Sequence, residues 1–357
     1  MAKRGTRKAD PAGVVERLER AAEAFDAEDF EGALAHAEGA LQLSPEHPEA
    51  LHFRAAAQVE LGEVEDAART YMRAVKAAPD AVELLLGAAE CLVVGLGEDR
   101  DAVSEGLALC ARGRKLAERA DDVERVFEFL LLEATGFNQL GECEEALVKA
   151  DAALAHVPRS VEAQLERAMA LFELCRFEEA RKAFERVLED EPDEPWAHHS
   201  LGLLAERRGD AKEAQRRFQR AQALAPEEFP PPVHLGEAAF DQALEDAVKG
   251  LPEHVKGYLD NVTIAVEDLP SDEDLLAEKP PLSPAILGVF RGTPVGERSV
   301  MNAADHFPAS IVLYQRNLER FARTREELIE QIGITVMHEV GHLIGLDEED
   351  LWERGLD

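Results

Sequence analysis

The residues best placed to do chemistry lie near the end of the chain, in the sequence TVMHEVGHLIGLDEED at 335–350. His338 and His342 are four residues apart in it, and Glu339 directly follows the first histidine. On an α-helix, residues four apart lie on one face about one turn from each other, so two imidazoles at this spacing can bind one zinc ion. Zinc lowers the pKa of bound water, and a carboxylate beside it can accept the proton. The spacing therefore predicts a hydrolytic zinc site with Glu339 as the general base.

A third protein ligand must come from elsewhere, because a catalytic zinc ion keeps three protein ligands and one open position. Gly345 is expected to end the helix, which allows the chain to fold back towards the histidines. Two carboxylates follow at that point, Asp347 and Glu348. Asp347 precedes a short helical sequence at 348–354, whose first turn it is suited to cap. We therefore predict Glu348 as the third ligand, with Asp347 as the alternative.

A helix must carry the two histidines, and the preceding sequence predicts one. Thr324 and Glu327 form the capping-box pattern T-x-x-E, which is typical of a helix start. Apolar residues then recur at helical spacing, at Leu328, Ile329, Ile332, Val336, Val340, Leu343 and Ile344. The histidines are thus expected on a helix with one apolar face. The alternative interpretation is an ordinary core helix with surface histidines and an acidic cap.

The sequence before this helix predicts a small sheet. Helices are expected at 240–251 and 253–259, strands at 262–266, 286–291 and 310–314, and a polar, proline-rich loop at 270–284. We expect the strand at 310–314 to form an exposed edge, to which an extended substrate can add. Tyr314 and His306 are candidate stabilisers of the transition state, although a strand tyrosine more often packs and a loop histidine is more often exposed.

Residues 14–228 contain an internal repeat with a period of 34 residues. Its prolines are Pro45, Pro79, Pro158, Pro192 and Pro226. An alanine lies twelve positions before each proline, at Ala33, Ala67, Ala146, Ala180 and Ala214. The residues five positions before each proline are Ala40, Ala74, Ala153, Val187 and Ala221. The 79-residue interval between the second and third prolines equals two units plus an insertion of 11 residues. We place this degenerate unit at 82–126 and predict its extra loop at 95–106.

This pattern resembles the tetratricopeptide repeat, in which small residues occur where two helices cross closely. The resemblance implies six helix pairs stacked into a right-handed solenoid, with a concave surface that binds a peptide or a partner protein. No catalytic group of residues is visible there. His198 and His199 are adjacent, so they point to different faces of a helix and are expected to be structural or solvent-exposed.

Residues 236–357 resemble a bacterial family of zincin-like metallopeptidase domains. The segments that carry the resemblance are FDQALEDAVKGLPEHVKGYLDNVTIAVED, ILGVFRGTPVGERS, IVLYQRNLER and TVMHEVGHLIGLDEEDL. The resemblance implies a zincin fold in which both helix histidines bind zinc and Glu339 is the base. It also implies an aspartate where Glu348 stands, so the chain departs from the family there. The metzincin pattern HExxHxxGxxH is matched in part, with Glu348 in its last place and without the methionine turn.

Composition excludes several classes of partner. The chain has 357 residues and a formal net charge of −34, which argues against nucleic acid and against anionic membranes. The basic sequence at its start is not followed by an apolar stretch, so it does not resemble a secretory signal. The cysteines Cys91, Cys110, Cys143 and Cys175 lack C-x-x-C spacing and lie in helical patterns. They are interpreted as reduced packing residues of a cytoplasmic protein, with zinc binding by them as the alternative.

The predicted fold class is α plus α/β, an all-α tetratricopeptide solenoid followed by a small α+β zincin-like domain. The expected divisions are a disordered basic tail at 1–13, repeats at 14–228, a proline-rich linker at 229–235 and the zincin-like domain at 236–357. The predicted function is that of a zinc-dependent metallopeptidase whose repeats recruit a protein substrate or partner. The alternatives are a non-catalytic adaptor with a zinc-stabilised domain and a metal-dependent hydrolase of a non-peptide amide.

Overall fold

The computed structural model of the chain describes residues 11–251, 253–259, 262–294, 309–347 and 350–351. Contacts between Cα atoms divide the chain into two compact units, Met1–Leu171 and Phe172–Asp357. The predicted linker at 229–235 therefore lies inside the second unit. Helix begins at Pro11, so the last three residues of the predicted tail are helical, and residues 1–10 lie outside the described ranges. No helix in the described ranges is both long and apolar enough to cross a membrane.

The first unit is built from helices throughout its described length. They are α1 (Pro11–Asp26), α2 (Phe30–Leu43), α3 (Pro48–Glu60), α4 (Val64–Ala77), α5 (Val82–Glu90), a π-helical turn (Cys91–Gly95), α6 (Arg100–Arg119), α7 (Val123–Leu140), α8 (Cys143–His156) and most of α9 (Val161–Glu173). The alanines predicted at close helix crossings have no exposed surface: Ala33, Ala40, Ala67, Ala74, Ala146 and Ala153. A larger side chain at these places would force neighbouring helices apart, so the repeat pattern is confirmed as a packing pattern.

The insertion in the degenerate unit is helical rather than a loop, so the predicted loop at 95–106 was wrong for most of its length. Only residues 96–99 connect the π-helical turn to α6. α6 has 20 residues where α2, α4 and α8 have 14, and α7 has 18 where α3 and α9 have 13. These two longer helices take up the inserted residues. The sequence RDAVSEG is mostly compatible with a helix, and Asp99 caps it by accepting hydrogen bonds from two backbone N–H groups.

The second unit begins with repeat helices and continues into the small sheet. Its elements are the end of α9, α10 (Phe177–Asp190), α11 (Pro195–Arg207), α12 (Ala211–Leu224), α13 (Glu237–Gly250), α14 (Glu253–Leu259), β1 (Val262–Glu267), α15 (Asp272–Leu275), β2 (Gly288–Arg291), β3 (Ala309–Tyr314), α16 (Gln315–Phe321) and α17 (Arg325–Ile344). The predicted strands and the histidine helix are all present. The predicted loop at 270–284 contains the short helix α15, which Ser271 and Asp274 cap reciprocally.

The three described strands are ordered β1-β3-β2. β3 pairs parallel with β1 and antiparallel with β2, so it lies in the middle of the sheet. The prediction that 310–314 forms an exposed edge was therefore wrong, and β1 and β2 are the edges among the described strands. Four of the six residues of β3 have no measurable exposure, as expected of a central strand.

One face of the sheet packs on α17. Ile311 and Leu313 of β3 form a buried cluster with Leu328, Ile332, Val336 and Val340, which follow one face of the helix. Strand residues alternate between faces, so Val312 and Tyr314 point to the opposite side of the sheet. The expected helix ends are confirmed: the Thr324 hydroxyl accepts a hydrogen bond from the Glu327 N–H at 3.1 Å, and Gly345 is left-handed with φ 92°.

Within the second unit, α11 is joined to the C-terminal residues by ion pairs. Glu206 accepts hydrogen bonds from Arg316, at 2.8 Å, and from Arg320. Arg207 donates to Asp272 at 2.7 Å and to the carbonyl oxygen of Pro270 at 3.1 Å. The last repeat helices and the sheet therefore belong to one compact unit, and polar contacts connect them.

The two adjacent histidines of α11 have structural contacts, as expected. His198 is buried, with Nε2 3.0 Å from the Pro192 carbonyl oxygen and Nδ1 accepting from Arg217 at 3.1 Å. His199 stacks on Phe229 with ring centroids 4.6 Å apart. Cys91, Cys110 and Cys143 are buried, which confirms their packing role, and burial raises the pKa of the Cys91 thiol to about 11.

Candidate metal centre

α17 brings its two histidines together on one face. The Nε2 atoms of His338 and His342 lie 3.1 Å apart, and the ring centroids lie 4.8 Å apart in an edge-to-face arrangement. Nδ1 of His342 lies 3.1 Å from the carbonyl oxygen of Leu346. A carbonyl oxygen only accepts hydrogen bonds, so this nitrogen carries the proton and the Nε2 of a neutral His342 keeps its lone pair. The fold therefore selects the tautomer that a metal ligand needs.

The separation of the two nitrogens fits a bound zinc ion. Two nitrogen ligands at ~2.0–2.1 Å from a tetrahedral zinc ion lie about 3.3–3.4 Å from each other. The observed 3.1 Å differs from this by only a few tenths of an ångström. Nitrogens at this distance can share a proton or bind one cation, and imidazole is a preferred zinc ligand. His338 and His342 can therefore hold two of the positions around one metal ion.

Glu339 lies beside the histidines and close to the edge strand β2. Its side chain is buried, with only 4% of its surface exposed. A Cβ atom built on Gly288, the first residue of β2, would lie 3.1 Å from Oε1 of Glu339. The structure thus places the carboxylate of Glu339, the residue that follows His338, against the first residue of β2.

The chain that follows α17 is held against the helix on both sides of the predicted third ligand. Leu346 accepts from His342, and Leu351 is fully buried where a Cβ on Gly341 would overlap with its side chain. Asp347 caps the turn at 350, since its Oδ1 accepts from the Asp350 N–H at 2.9 Å. Glu348 lies outside the described residues. Within the described ranges, no group of three His, Cys, Asp or Glu side chains is placed to hold a metal ion.

The structure does not bring Tyr314 together with the histidines, and His306 lies outside the described residues. Tyr314 has no exposed surface and points to the face of the sheet opposite α17. Its hydroxyl donates to Oδ2 of Asp274 at 3.0 Å. Burial and the neighbouring carboxylate of Asp274 raise the pKa of Tyr314, so the phenol stays protonated and keeps this hydrogen bond.

Asp274 and Arg291 are the centre of that opposite-face network. Arg291 of β2 donates to Asp274 at 2.6 and 2.7 Å and to Glu267 of β1 at 2.8 and 3.0 Å. Burial alone would raise the pKa of Asp274, but hydrogen bonds from Arg291, Ser271 and Tyr314 lower it to about 2. The hydrogen bonds that Arg291 donates to Asp274 and Glu267 in turn raise the pKa of its guanidinium group. This network connects both edge strands and fixes β2 from the side away from the histidines.

Two residues near Glu339 were not found from the sequence, Gly288 and Thr335. Thr335 lies one helical turn before Glu339 on the same face of α17 and is 5% exposed. Gly288 and Thr335 lie near Glu339 because β2 packs on α17, and short sequence patterns do not predict such packing. The one available signal was the period of the helix, which places 335, 338, 339 and 342 on a common face.

Comparison with known proteins supports both parts of the chain. A family model described as zincin-like metallopeptidase matches residues 259–356, and a tetratricopeptide repeat model matches residues 24–89 and 138–206. A search of the curated proteins found no match. The chain therefore carries tetratricopeptide repeats in its N-terminal region and a zincin-like metallopeptidase domain in its C-terminal region, as its sequence predicted.

Several solved structures are similar to part of this chain. PilW, described as a widely conserved type IV pilus biogenesis factor, is 20% identical over 61% of this chain and 96% of its own, with a TM-score of 0.51. PilF of Pseudomonas aeruginosa is 14% identical over 60% and 93%, with a TM-score of 0.48. YrrB, described as a TPR protein with an unusual peptide-binding site, is 18% identical over 54% and 93%, with a TM-score of 0.40. The likeness to PilW supports the fold of the repeats and nothing further.

Proposed function

We propose that the chain is a zinc-dependent metallopeptidase whose tetratricopeptide repeats recruit a protein substrate or partner. The observation that carries the proposal is the pair of Nε2 atoms of His338 and His342, 3.1 Å apart, beside the buried carboxylate of Glu339. A structural metal site needs ligands only, whereas a carboxylate next to the first ligand serves proton transfer. The match of this domain to the zincin-like metallopeptidase family supports the same reading.

His338 and His342 would hold the zinc ion together with one carboxylate from the chain that follows α17. When bound, zinc supplies Lewis-acid chemistry, which polarises the scissile carbonyl group and makes water more acidic. Glu339 would accept the proton of the attacking water and then donate it to the leaving amine. Burial of Glu339 keeps its carboxylate in one place, so little reorganisation precedes proton transfer.

An extended substrate would pair with β2 rather than with β3. β2 is an edge among the described strands, and its first residue, Gly288, lies next to Glu339. Backbone hydrogen bonds to an edge strand hold a peptide in a fixed register without requiring a particular sequence. A peptide bond held beside Gly288 would lie within reach of the base.

Glu348 is the proposed third ligand, because the described contacts give Asp347 another role. The Asp347 carboxylate caps the turn at Asp350, while Leu346 and Leu351 hold the segment against α17 on either side. Glu348→Gln should therefore lose most of the bound zinc, because an amide is a poor replacement for a carboxylate ligand. Asp347→Asn is the matched control, since asparagine caps as well as aspartate, and it should keep zinc near one ion per chain. Elemental analysis of both purified variants decides between the two residues, and the reverse pattern would make Asp347 the ligand.

The repeats are the proposed recruiting arm, because stacked helix pairs present a continuous surface for a polypeptide. Charged side chains of two first helices, α5 and α7, form an ion pair with each other. Arg125 of α7 binds Glu83 of α5 at 3.0 Å and Glu128 at 2.6 Å. These groups offer hydrogen bonds and charge to a bound segment.

Proteome-wide cleavage profiling of the zinc-loaded protein tests this function, with Glu339→Gln as the matched inactive control. The proposal expects new peptide termini with the parent protein and few or none with the variant. If neither protein cleaves anything while both retain zinc and capture a partner through the repeats, the protein is an adaptor. If only non-peptide amides are hydrolysed, the protein is a metal-dependent hydrolase, but the proposal that its substrate is a peptide is rejected.

A further inference from the structure

The edge strand β2 touches the proposed base at a glycine. A Cβ built on Gly288 would lie 2.7 Å from Cγ2 of Thr335, 3.1 Å from Oε1 of Glu339 and 3.1 Å from the carbonyl oxygen of Val312. Carbon atoms in favourable contact are about 3.5–4.0 Å apart, so the contact with Cγ2 of Thr335 is too short for an added methyl group. The two contacts with oxygen atoms are tighter than most contacts of a Cβ atom, so those neighbours would have to shift by a few tenths of an ångström. The space that a side chain would occupy at 288 is already filled by Thr335 and Glu339.

The backbone at this position does not require glycine. Gly288 is an ordinary strand residue that pairs with Leu313 of β3, and its φ lies outside the left-handed range. By contrast, Gly292, which directly follows the same strand, has φ 147°. The reason for glycine at 288 is therefore the close approach of β2 to α17 rather than freedom of the backbone.

Thr335 makes this contact tight. It is 5% exposed, and in the described part of the chain its Oγ1 is buried without a hydrogen-bond partner. A buried hydroxyl that forms no hydrogen bond is destabilising, because nothing replaces the hydrogen bonds that it makes with water in the unfolded chain. This unpaired hydroxyl belongs to the residue whose side chain lies closest to Gly288. The Thr335 side chain cannot move out of the way easily, because a β-branched residue has few rotamers in a helix.

We propose that Gly288 is a positioning residue, whose missing side chain leaves the space that sets the place of the Glu339 carboxylate. This inference rests on the proposed function, because it assigns the purpose of the space to the base. Any side chain at 288 would push the carboxylate away from β2 by a few tenths of an ångström or more. Since Gly288 also begins the proposed substrate-binding edge, one residue would set the distance between the bound peptide and the base.

The test compares Gly288→Ala with parent protein and with Glu339→Gln, using acetohydroxamic acid as the probe. A hydroxamic acid loses a proton when it binds zinc, so its affinity reports whether a carboxylate is placed to accept that proton, without any need for a substrate. A misplacement of about 1 Å can cost about 10²-fold in rate, and a smaller shift should weaken hydroxamate binding about 10-fold. Zinc content should remain that of the parent. Gly333→Ala on α17 is the matched control, because a Cβ there meets only Ala247, at 3.9 Å, among the residues that the structure describes.

A second variant separates positioning from a loss of stability. Gly288→Ala combined with Thr335→Ser removes Cγ2, the atom of closest contact, and leaves the contact with Glu339. We expect the double variant to regain the melting temperature of the parent but not its hydroxamate affinity. Recovery of both would make the effect structural and would overturn the proposal, as would unchanged affinity in Gly288→Ala. If Glu339→Gln itself binds hydroxamate like the parent, the base assignment fails, and that failure belongs to the proposed function.

Discussion

Replacing Glu206 by glutamine should weaken the second unit more than any other single change of charge on α11. The Glu206 side chain is 10% exposed and accepts hydrogen bonds from Arg316 and Arg320. The Arg320 side chain is 20% exposed, and burial lowers the pKa of its guanidinium group. An arginine in that position needs a carboxylate beside it. Glu206→Gln keeps the shape of the side chain and removes only its charge.

The magnitude follows from the exposure of the two arginines. Removing one partner of a buried ion pair costs about 3–5 kcal/mol. Arg316 is 40% exposed and keeps Asp268 at 2.7 Å, so water screens most of its loss. Arg320 keeps its contact over the Phe218 ring, with 5.2 Å from the guanidinium carbon to the ring centroid. We therefore expect the lower end, about 3 kcal/mol, which is about 6–12 °C in melting temperature for a unit of this size.

Tryptophan fluorescence during urea unfolding measures this change in the full chain. Both tryptophans, Trp196 and Trp352, belong to the second unit, so the signal reports that unit alone. Asp268→Asn is the matched control, because it removes the other partner of Arg316 at a side chain that is 69% exposed. An exposed pair contributes at most about 1 kcal/mol.

Equal, small losses in Glu206→Gln and Asp268→Asn would refute this reasoning. The ion pairs of α11 would then add little to the stability of the unit, and residues 236–357 would be expected to fold without the repeats, as the predicted linker at 229–235 implies. A large loss in Glu206→Gln alone would show that α11 is part of the structural support of the zincin-like domain.

Two further changes test other features of the structure. Burial and Arg320 lower the pKa of His199 from 6.5 to about 4, so the imidazole binds a proton more weakly in the folded protein than in the unfolded chain. The contribution of neutral His199 to the free energy of unfolding is therefore fully present above pH 6.5. It falls by up to about 3 kcal/mol as the pH is lowered towards 4. Urea unfolding at several pH values should show this slope in the parent and a flatter profile in His199→Gln, and equal slopes would reject the assignment. Glu28 has φ 58° at the turn where the next repeat has Gly62 at φ 77°. Glu28→Gly should therefore stabilise the first unit by about 0.5–1 kcal/mol, measured as a higher helix melting temperature by circular dichroism, whereas a lower one would mean that the strain is negligible.

Local patterns predicted the elements well, because their causes are local. The repeat period placed the buried alanines of the first unit, since a close helix crossing tolerates only a small residue whatever surrounds it. The cap at Thr324 and the left-handed Gly345 delimit α17 as expected. The inserted segment at 95–106 was misjudged, because its charges and glycines suggest a loop while its length allows two longer helices.

The features that depend on distant contacts were not predictable in this way. The order of the strands puts β3 in the centre through a parallel crossover from β1, which no pattern within 310–314 reveals. Tyr314 was a candidate stabiliser of the transition state, but the strand register turns its side chain to the face of the sheet opposite α17. Glu206 and Arg316 are 110 residues apart in sequence, so the pair follows from tertiary packing alone.

The rate of peptide cleavage by Glu339→Gln, relative to the parent, tests the central claim most directly. General-base catalysis contributes about 10²–10⁴-fold, so the variant should cleave a substrate found by profiling slower by about that factor. Its zinc content and melting temperature should match those of the parent, because glutamine preserves the shape of the buried side chain. Cleavage at the parent rate by a zinc-loaded Glu339→Gln protein would contradict the role of Glu339 and with it the proposed mechanism.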